Sequence, residues 1–209
     1  MLENRAGEID PNTESKIKNA ARRVFHQKGF SATRTRDIAE EAGINLALLN
    51  YYFRSKKKLF EIIMFETMFG FMQNMLVVFN DEKTSLLEKT ELMAEKYTEM
   101  ILKEPQVPLF ILSELRDNAS DFLEKLPMAN IIMESVFIKQ IKDEIAAGNI
   151  KEINPLQFII NLLGLVIFPF VASPLIYKIG SLSTKDFELL MQERKKMIPI
   201  WIKSMFYKS

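Results

Sequence analysis

Cysteine is absent from this chain of 209 residues, and histidine occurs once, at position 26. The absence of cysteine excludes disulfides, thiolate metal ligands and a thiol nucleophile. We interpret His26 as a surface or half-buried helix residue, because its neighbours are basic and no metal-ligand cluster or nucleophile motif accompanies it. The sequence also lacks a phosphate-binding glycine loop. These absences argue against an enzyme, and we expect neither a cofactor nor a metal site.

Glycine and proline are scarce, with 7 and 8 residues respectively, which favours long helices. Apolar residues recur at steps of three and four residues along most of the chain, as in an amphipathic α-helix. No strand-like alternation and no internal repeat stand out. The sequence therefore predicts an all-α protein with about nine helices. The predicted helices cover residues 14–28, 35–42, a short segment capped by Asn45, 56–80, 84–103, 107–118, 121–147, 155–177 and 184–207.

Charge is missing from one long segment, since no Asp, Glu, Lys or Arg occurs between Glu152 and Lys178. Such a length of apolar chain is sufficient to span a bilayer. Three prolines and several polar side chains interrupt it, however, and no basic loop or tryptophan frames it. We therefore favour a helix buried in a core or at a subunit interface. A membrane-anchored regulator remains the less favoured alternative. The N-terminus has no apolar signal segment, so we expect a cytoplasmic protein.

The net charge of +1 conceals an uneven distribution. Residues 1–60 contain 12 Lys or Arg and 7 Asp or Glu, whereas residues 61–209 contain 16 and 20. A basic N-terminal part on an acidic body indicates that the first part faces a polyanion.

A helix, a glycine turn and a second helix follow one another between residues 35 and 53. Ala39 is small enough for two helices to cross closely, and Gly43 suits the left-handed residue of a tight turn. Ile38, Ile44 and Leu49 are spaced to pack against one another. This arrangement is the signature of a helix-turn-helix, whose second helix enters the major groove of DNA.

Residues Lys16 to Phe60 resemble the tetracycline-repressor (TetR) family of transcription regulators. The matching positions are Ile17, Ala20, Ala21, Phe25, Gly29, Phe30, Thr33, Arg36, Asp37, Ile38, Ala39, Ala42, Gly43, Ile44, Leu49, Tyr51, Tyr52, Phe53, Ser55, Lys56, Leu59 and Phe60. The rest of the chain resembles the family only in being helical and apolar. The resemblance implies a DNA-binding domain at residues 12–56, after a flexible N-terminus at 1–11. It also implies a ligand-binding and dimerisation domain at 57–209.

The resemblance also implies which residues contact DNA. Tyr51 and Lys56 are expected to hold phosphates, while Tyr52 and Phe53 close the third helix onto the core. Arg36 is able to reach a guanine edge, and Asn50 an adenine. The full predicted set is Arg34, Thr35, Arg36, Asn45, Leu46, Ala47, Asn50, Tyr51 and Lys56.

Two positions depart from the family's pattern. Arg34 stands where the family often has Ser or Thr, so we expect Thr33 or Thr35 to cap the second helix. Asn50 stands where an aromatic residue is frequent, which indicates an unusual base preference. Leu46 is suited to contact a thymine methyl group.

The C-terminal part is rich in methionine and phenylalanine, which suit an adaptable apolar pocket. The residues predicted to line such a pocket are Met64, Phe65, Met68, Phe69, Met72, Phe110, Met133 and Phe137. The resemblance implies that the apolar 155–177 helix and the final helix form a dimer interface. Its predicted residues are Phe158, Leu162, Leu165, Phe168, Met197 and Trp201.

Together these observations predict a DNA-binding regulator. We expect a repressor that binds a palindromic operator as a homodimer and is released by a small, largely apolar effector. Double-stranded DNA, the effector and a second copy of the chain are the expected partners, without a membrane. A helical ligand-binding or protein-docking module without DNA specificity remains the alternative.

Overall fold

The computed structural model describes residues 11–117, 120, 124 and 128–208. The predicted flexible N-terminus lies almost wholly outside them. Within these residues the fold is all-α, as predicted, and the backbone pairing outside helices is one isolated bridge between Ile150 and Tyr207. The helices are α1 (Pro11–Ala32), α2 (Thr35–Ala42), α3 (Leu46–Tyr52), α4 (Lys56–Asn80), α5 (Leu86–Lys103), α6 (Val107–Asp117), α7 (Met128–Met133), α8 (Val136–Ala146), α9 (Pro155–Val171), α10 (Ser173–Gly180) and α11 (Thr184–Phe206).

The described residues form eleven helices, because two predicted helices are each interrupted. The predicted 121–147 helix breaks before Val136, where the Ser135 side chain accepts from the backbone N–H of Ile138 and starts α8. Part of that predicted helix lies outside the described residues. The predicted 155–177 helix bends by 67° between α9 and α10. Pro174 follows directly and occupies the first turn of α10, where its missing N–H costs nothing.

Two helical regions have the length and apolar composition of a membrane span among the described residues. One is α4, and the other is α9 with α10 if the bent pair is counted as one segment. Core helices of soluble proteins have the same composition. Buried side chains such as Phe158, Leu162 and Phe170 pack α9 into the core of the second unit.

The chain divides into two compact units, residues 1–68 and 69–209. The sequence placed this boundary after residue 56, at the start of α4, whereas the structure places it three turns inside that helix. Side-chain contacts explain the difference. Lys18 of α1 donates to Glu66 at 2.7 Å, and the guanidinium of Arg22 donates to the hydroxyl of Thr67. The first part of α4 therefore belongs to the N-terminal unit.

The N-terminal unit packs its helices around small and branched side chains. Ala20, Ala21 and Ala39 are almost fully buried, which lets α1 and α2 approach closely. The other buried apolar residues are Ile17, Val24, Phe25, Ile38, Ala42, Leu49, Phe53, Leu59, Ile63, Met64 and Met68. This core orients α2 and α3 from behind and leaves their outer faces open.

The second unit has a core of aromatic rings contributed by four helices. Phe137 stacks on Phe79 at 5.6 Å between ring centroids, and it meets Phe158 edge-on at 6.0 Å. Phe158 in turn stacks on Phe206 at 5.2 Å. These contacts connect α4, α8, α9 and α11, so this unit has a single continuous core.

A fully buried lysine forms hydrogen bonds that stabilise the loop between α4 and α5. The ammonium of Lys89 donates to the carbonyls of Asp81 and Thr84 and, at 2.6 Å, to the Thr84 hydroxyl. Gln140 of α8 donates to the same Thr84 carbonyl at 2.8 Å. Burial lowers the pKa of Lys89, although the three acceptors satisfy its three N–H groups. No periodicity in the sequence indicated this cluster, because it joins a loop to a distant helix.

Candidate nucleic-acid interface

The start of α2 is organised by Asp37 rather than by a threonine. Arg34 occupies the N-cap position, and its backbone N–H donates to the Asp37 carboxylate at 2.9 Å. The expectation that Thr33 or Thr35 caps the helix was wrong, since Thr33 is buried and its hydroxyl donates to the Gly29 carbonyl at 2.7 Å. The Arg34 N–H, with Lys28 at 3.2 Å, holds the pKa of Asp37 below its usual value. The Arg34 side chain is therefore exposed and not needed for capping.

Gly43 makes the turn between α2 and α3, as predicted. Its φ of 62° and ψ of 38° are left-handed. Its backbone N–H donates to the Glu40 carbonyl, and the N–H of Ile44 donates to the Ala39 carbonyl, both at 3.0 Å. These bonds satisfy carbonyls at the end of α2 and set the direction in which α3 leaves the turn.

Helix α3 presents one open face. Asn45 caps it, with its side-chain oxygen accepting from the Leu48 N–H at 2.8 Å. Leu49 is buried, whereas Ala47, Asn50 and Tyr51 are exposed. Asn50 and Tyr51 follow Ala47 by three and four positions, so the three residues lie on the same side of the helix.

The three consecutive aromatics have different environments. Phe53 is buried and ends α3. Tyr52 is half-buried, and its ring meets that of Tyr51 edge-on at 5.6 Å. Tyr51 is 60% exposed. A hydroxyl placed on an open helix face is suited to donate to a phosphate oxygen.

Lys56 uses part of its hydrogen-bonding capacity within the protein. Its ammonium donates to the carbonyls of Phe30 and Thr33, each at 2.8 Å, and lies 4.4 Å from the centroid of the Phe30 ring. Of the three N–H groups on an ammonium, two thus bind the end of α1 and the residue that follows it. The predicted phosphate contact is left to the third.

Exposed arginines precede and follow α3 in the chain. Arg34, Arg36 and Arg54 are exposed, and none has an ion pair among the residues that the structure describes. In contrast, Lys28 pairs with Asp37 and Arg23 pairs with Glu41 at 2.6 Å. Arg54 was not among the residues predicted to contact DNA, although it directly follows the three aromatic residues. The arrangement combines an uncharged helix face with guanidinium groups beside it, which suits a groove flanked by phosphates.

Comparison with known proteins agrees with this geometry. Residues 17–63 match the family described as "Bacterial regulatory proteins, tetR family". Over 207 residues the chain is 26% identical to "Probable HTH-type transcriptional regulator YttP" of Bacillus subtilis (strain 168), which covers 93% of this chain and 94% of that protein. The chain contains a TetR-type DNA-binding domain and is similar to TetR-type regulators over its length. It is a transcriptional regulator with a helix-turn-helix domain, and not an enzyme.

Solved structures of TetR-type regulators share the fold over nearly the whole chain. A TetR/AcrR-family regulator from Thermobifida fusca superposes with a TM-score of 0.63 at 17% identity, covering 90% of this chain and 97% of that one. FadR of Bacillus subtilis, solved in complex with stearoyl-CoA, superposes with a TM-score of 0.59 at 19% identity, covering 88% and 96%. At these identities the likeness concerns the fold.

The eight residues predicted to line the effector pocket do not share one environment. Met64, Met68, Phe110 and Phe137 are buried, Phe65, Phe69 and Met72 are half-buried, and Met133 is 41% exposed. None of them lines any of four clefts formed by the described residues. The cleft between α4 and α5, of about 530 Å³, is instead lined by Phe71 and Val77 with Lys96 and Glu99. The predicted pocket therefore stays a prediction.

Two residues predicted for a dimer interface lie inside the protein. Phe158 and Leu162 are 0% and 1% exposed, and they belong to the core of the second unit. The sequence does not distinguish such positions, because a helix that is apolar on all sides has no polar side that identifies its inward face.

The other four predicted interface residues lie nearer the surface. Phe168 and Met197 are 64% and 41% exposed, and Leu165 and Trp201 are half-buried. Arg194 of α11 lies 4.9 Å from the Trp201 ring and donates to the Leu165 carbonyl at 2.9 Å. This contact fixes the adjoining surfaces of α9 and α11 to each other.

Proposed function

We propose that this regulator is a cytoplasmic, homodimeric repressor that binds a palindromic operator and leaves it when a largely apolar effector binds. The open face of α3 carries the DNA-binding part of the proposal. Ala47, Asn50 and Tyr51 are exposed there, while Leu49 and Phe53 hold the helix from behind. Exposed arginines on α2 and its cap provide positive charge at the edge of this face. Arginines at such positions supply affinity for phosphates and orient the helix in the groove.

Dimerisation is supported by exposed apolar side chains on two neighbouring helices. Ile160 and Phe168 of α9 are 60% and 64% exposed, and Leu189 and Ile200 of α11 are 55% and 57% exposed. A monomer seldom leaves so many large apolar side chains in water on adjacent helices. A two-fold dimer that buries them presents two copies of α3, which accounts for a palindromic operator. Sedimentation of Phe168→Lys should yield monomers at concentrations where the parent chain is dimeric.

Effector control is supported by α4 and by the fold. Residues of α4 belong to both compact units. We expect an effector that moves its C-terminal half to displace residues of the DNA-binding unit as well. The fold that this chain shares with FadR accommodates stearoyl-CoA in that protein. An effector that binds one arrangement of α4 more tightly than the other shifts the population between bound and released states.

The first experiment is a titration of the purified protein against labelled duplexes tiled from upstream of its own gene, with anisotropy read at two salt concentrations. One tile should bind tightly, and its affinity should fall with salt and in the Arg36→Ala/Tyr51→Phe variant. Arg116→Ala, an exposed arginine of the second unit, is the matched control and should bind like the parent. Equal binding to every tile, unchanged by the variant, would refute sequence-specific regulation.

The effector part is tested on the complex with the tile that binds. Stearoyl-CoA and free stearate are added in turn, and release of the duplex is the expected result for an apolar effector. A probe that binds the protein, as seen by a raised melting temperature, but leaves the operator affinity unchanged would contradict release by that probe's class.

A further inference from the structure

Helix α3 has no charged side chain. Its residues from Leu46 to Tyr52 read Leu-Ala-Leu-Leu-Asn-Tyr-Tyr, and its cap is Asn45. In the major groove, guanine is read chiefly by Arg or Lys, and cytosine by Asp or Glu. The helix that faces the bases therefore lacks the groups that recognise a G·C pair.

The groups that α3 does expose have a different specificity. At about 100° per residue, Ala47 lies between Asn50 and Tyr51 on the open face of α3. Leu48 lies beyond Tyr51, and the half-buried Leu46 lies beside Asn50. Apolar side chains such as alanine contact the thymine methyl group, and an asparagine amide pairs with N6 and N7 of adenine. Both contacts select A·T pairs.

The two asparagines differ in what holds their side chains. The Asn45 side-chain oxygen accepts the Leu48 N–H at 2.8 Å, which keeps that amide at the N-terminus of α3. Asn50 is exposed on the open face, and its amide has no hydrogen bond among the described residues. A bidentate contact needs the oxygen and the nitrogen together. Asn50 meets this requirement.

We infer that the base pairs under α3 in each half-site are A·T pairs, with Asn50 reading an adenine and Ala47 and Leu46 contacting thymine methyl groups. The inference rests on the proposed DNA binding and adds its base preference. Arg34 and Arg36 lie on α2 and its cap, outside this face. They contact flanking phosphates or base pairs next to the A·T segment.

The test starts from selection of a random-core duplex library with the full-length protein, because such a library contains every candidate half-site. The bound pool should be enriched in half-sites whose central positions are A·T. Asn50→Ala should lose the preference for adenine at one position, with a change of roughly 5- to 150-fold in discrimination, as for one bidentate pair. Asn19→Ala, the same change on α1 and outside the open face of α3, should retain the selected sequence.

Modified duplexes then test the contacts themselves. Replacing a contacted thymine by deoxyuridine removes one methyl group and should weaken binding about fourfold. Replacing the contacted adenine by 7-deazaadenine should weaken the parent protein and leave Asn50→Ala unaffected. Selected half-sites with G·C pairs at the centre would overturn the inference while leaving operator binding intact. A·T half-sites whose binding is insensitive to both replacements would do the same. Enrichment of no sequence at all would overturn both it and the proposed function.

Discussion

Lys56 fastens the start of α4 to the end of α1. Its ammonium donates to the Phe30 carbonyl over 2.8 Å and lies 4.4 Å from the centroid of the same residue's ring. A second bond, to the Thr33 carbonyl, reaches the residue directly before the Arg34 cap of α2. The lysine expected to hold DNA thus also determines how α2 is positioned.

Lys56→Met should therefore destabilise the protein. Methionine keeps the apolar stem but leaves both carbonyls without their charged donor, which costs about 1.5–3 kcal/mol of unfolding free energy. Lys58→Met is the control, because Lys58 is exposed and its ammonium lies 4.0 Å from the Glu61 carboxylate. Equal chemical denaturation midpoints for the two variants would refute the structural role. If Lys56→Met also reduces the slope of log binding constant against log salt concentration by about 0.9, the third N–H contacts a phosphate.

Lys89→Met should also lower stability, since three acceptors in the α4–α5 loop lose their donor. We expect the free energy of unfolding to fall by about 2–3 kcal/mol, because the buried acceptors lose a charged hydrogen-bond donor. Denaturant unfolding followed by circular dichroism measures it. Lys83→Met changes an exposed lysine of the same loop and should stay within about 0.5 kcal/mol of the parent. A neutral Lys89→Met would show that the loop does not depend on the ammonium.

Tyr97→Phe should change how stability depends on alkaline pH. Burial raises the pKa of Tyr97 to about 12, so the folded state keeps its proton while the unfolded tyrosine, with a pKa of 10.0, loses it. Stability from this residue is complete below pH 10 and declines as pH rises from about 10 to 12, by up to ~2–3 kcal/mol. Phenylalanine removes that decline. Among the described residues the Tyr97 hydroxyl donates to the Met72 sulfur at 3.7 Å, which is a weak acceptor, so little hydrogen bonding is lost in the variant.

The measurement is the unfolding free energy at pH 9, 10 and 11, where the parent curve should fall more steeply than that of Tyr97→Phe. Tyr51→Phe removes a tyrosine that is 60% exposed and should follow the parent. Parallel curves for all three proteins would refute the assignment.

Gly43→Ala should destabilise the protein by about 1–2 kcal/mol. At φ of +62° an alanine Cβ is strained against its own backbone, although the nearest neighbouring atom, Nζ of Lys16, would be 3.8 Å away. Gly70→Ala is the control, and we expect it to change stability in the opposite direction. Gly70 lies inside α4 with nothing within 4 Å of an added Cβ, so alanine should stabilise by about 0.5–1 kcal/mol. Thermal unfolding of the pair decides whether the turn conformation, rather than glycine as such, is needed.

Local patterns allowed the DNA-binding unit to be predicted closely. The left-handed Gly43, the Asn45 cap and buried Leu49 each depend on neighbours within a few residues, so the sequence itself contains the relevant contacts. The predicted cap of α2, Thr33 or Thr35, was wrong, because Arg34 is the N-cap and Asp37 supplies the capping oxygen from inside the helix. That contact is also local, but here the cap residue supplies the backbone N–H donor and a side chain inside the helix supplies the acceptor.

The sequence by itself determined the all-α class, the helix-turn-helix and the open face of α3, because helical period and turn chemistry act over short distances. Only the tertiary structure decided which side of α9 is inward, how Lys56 and Lys89 are bonded and where α4 changes unit. Phe158 was predicted to face a partner and instead packs between Phe137 and Phe206. Such placements depend on residues distant in the chain, and an apolar or basic side chain looks the same in sequence whichever of them it meets.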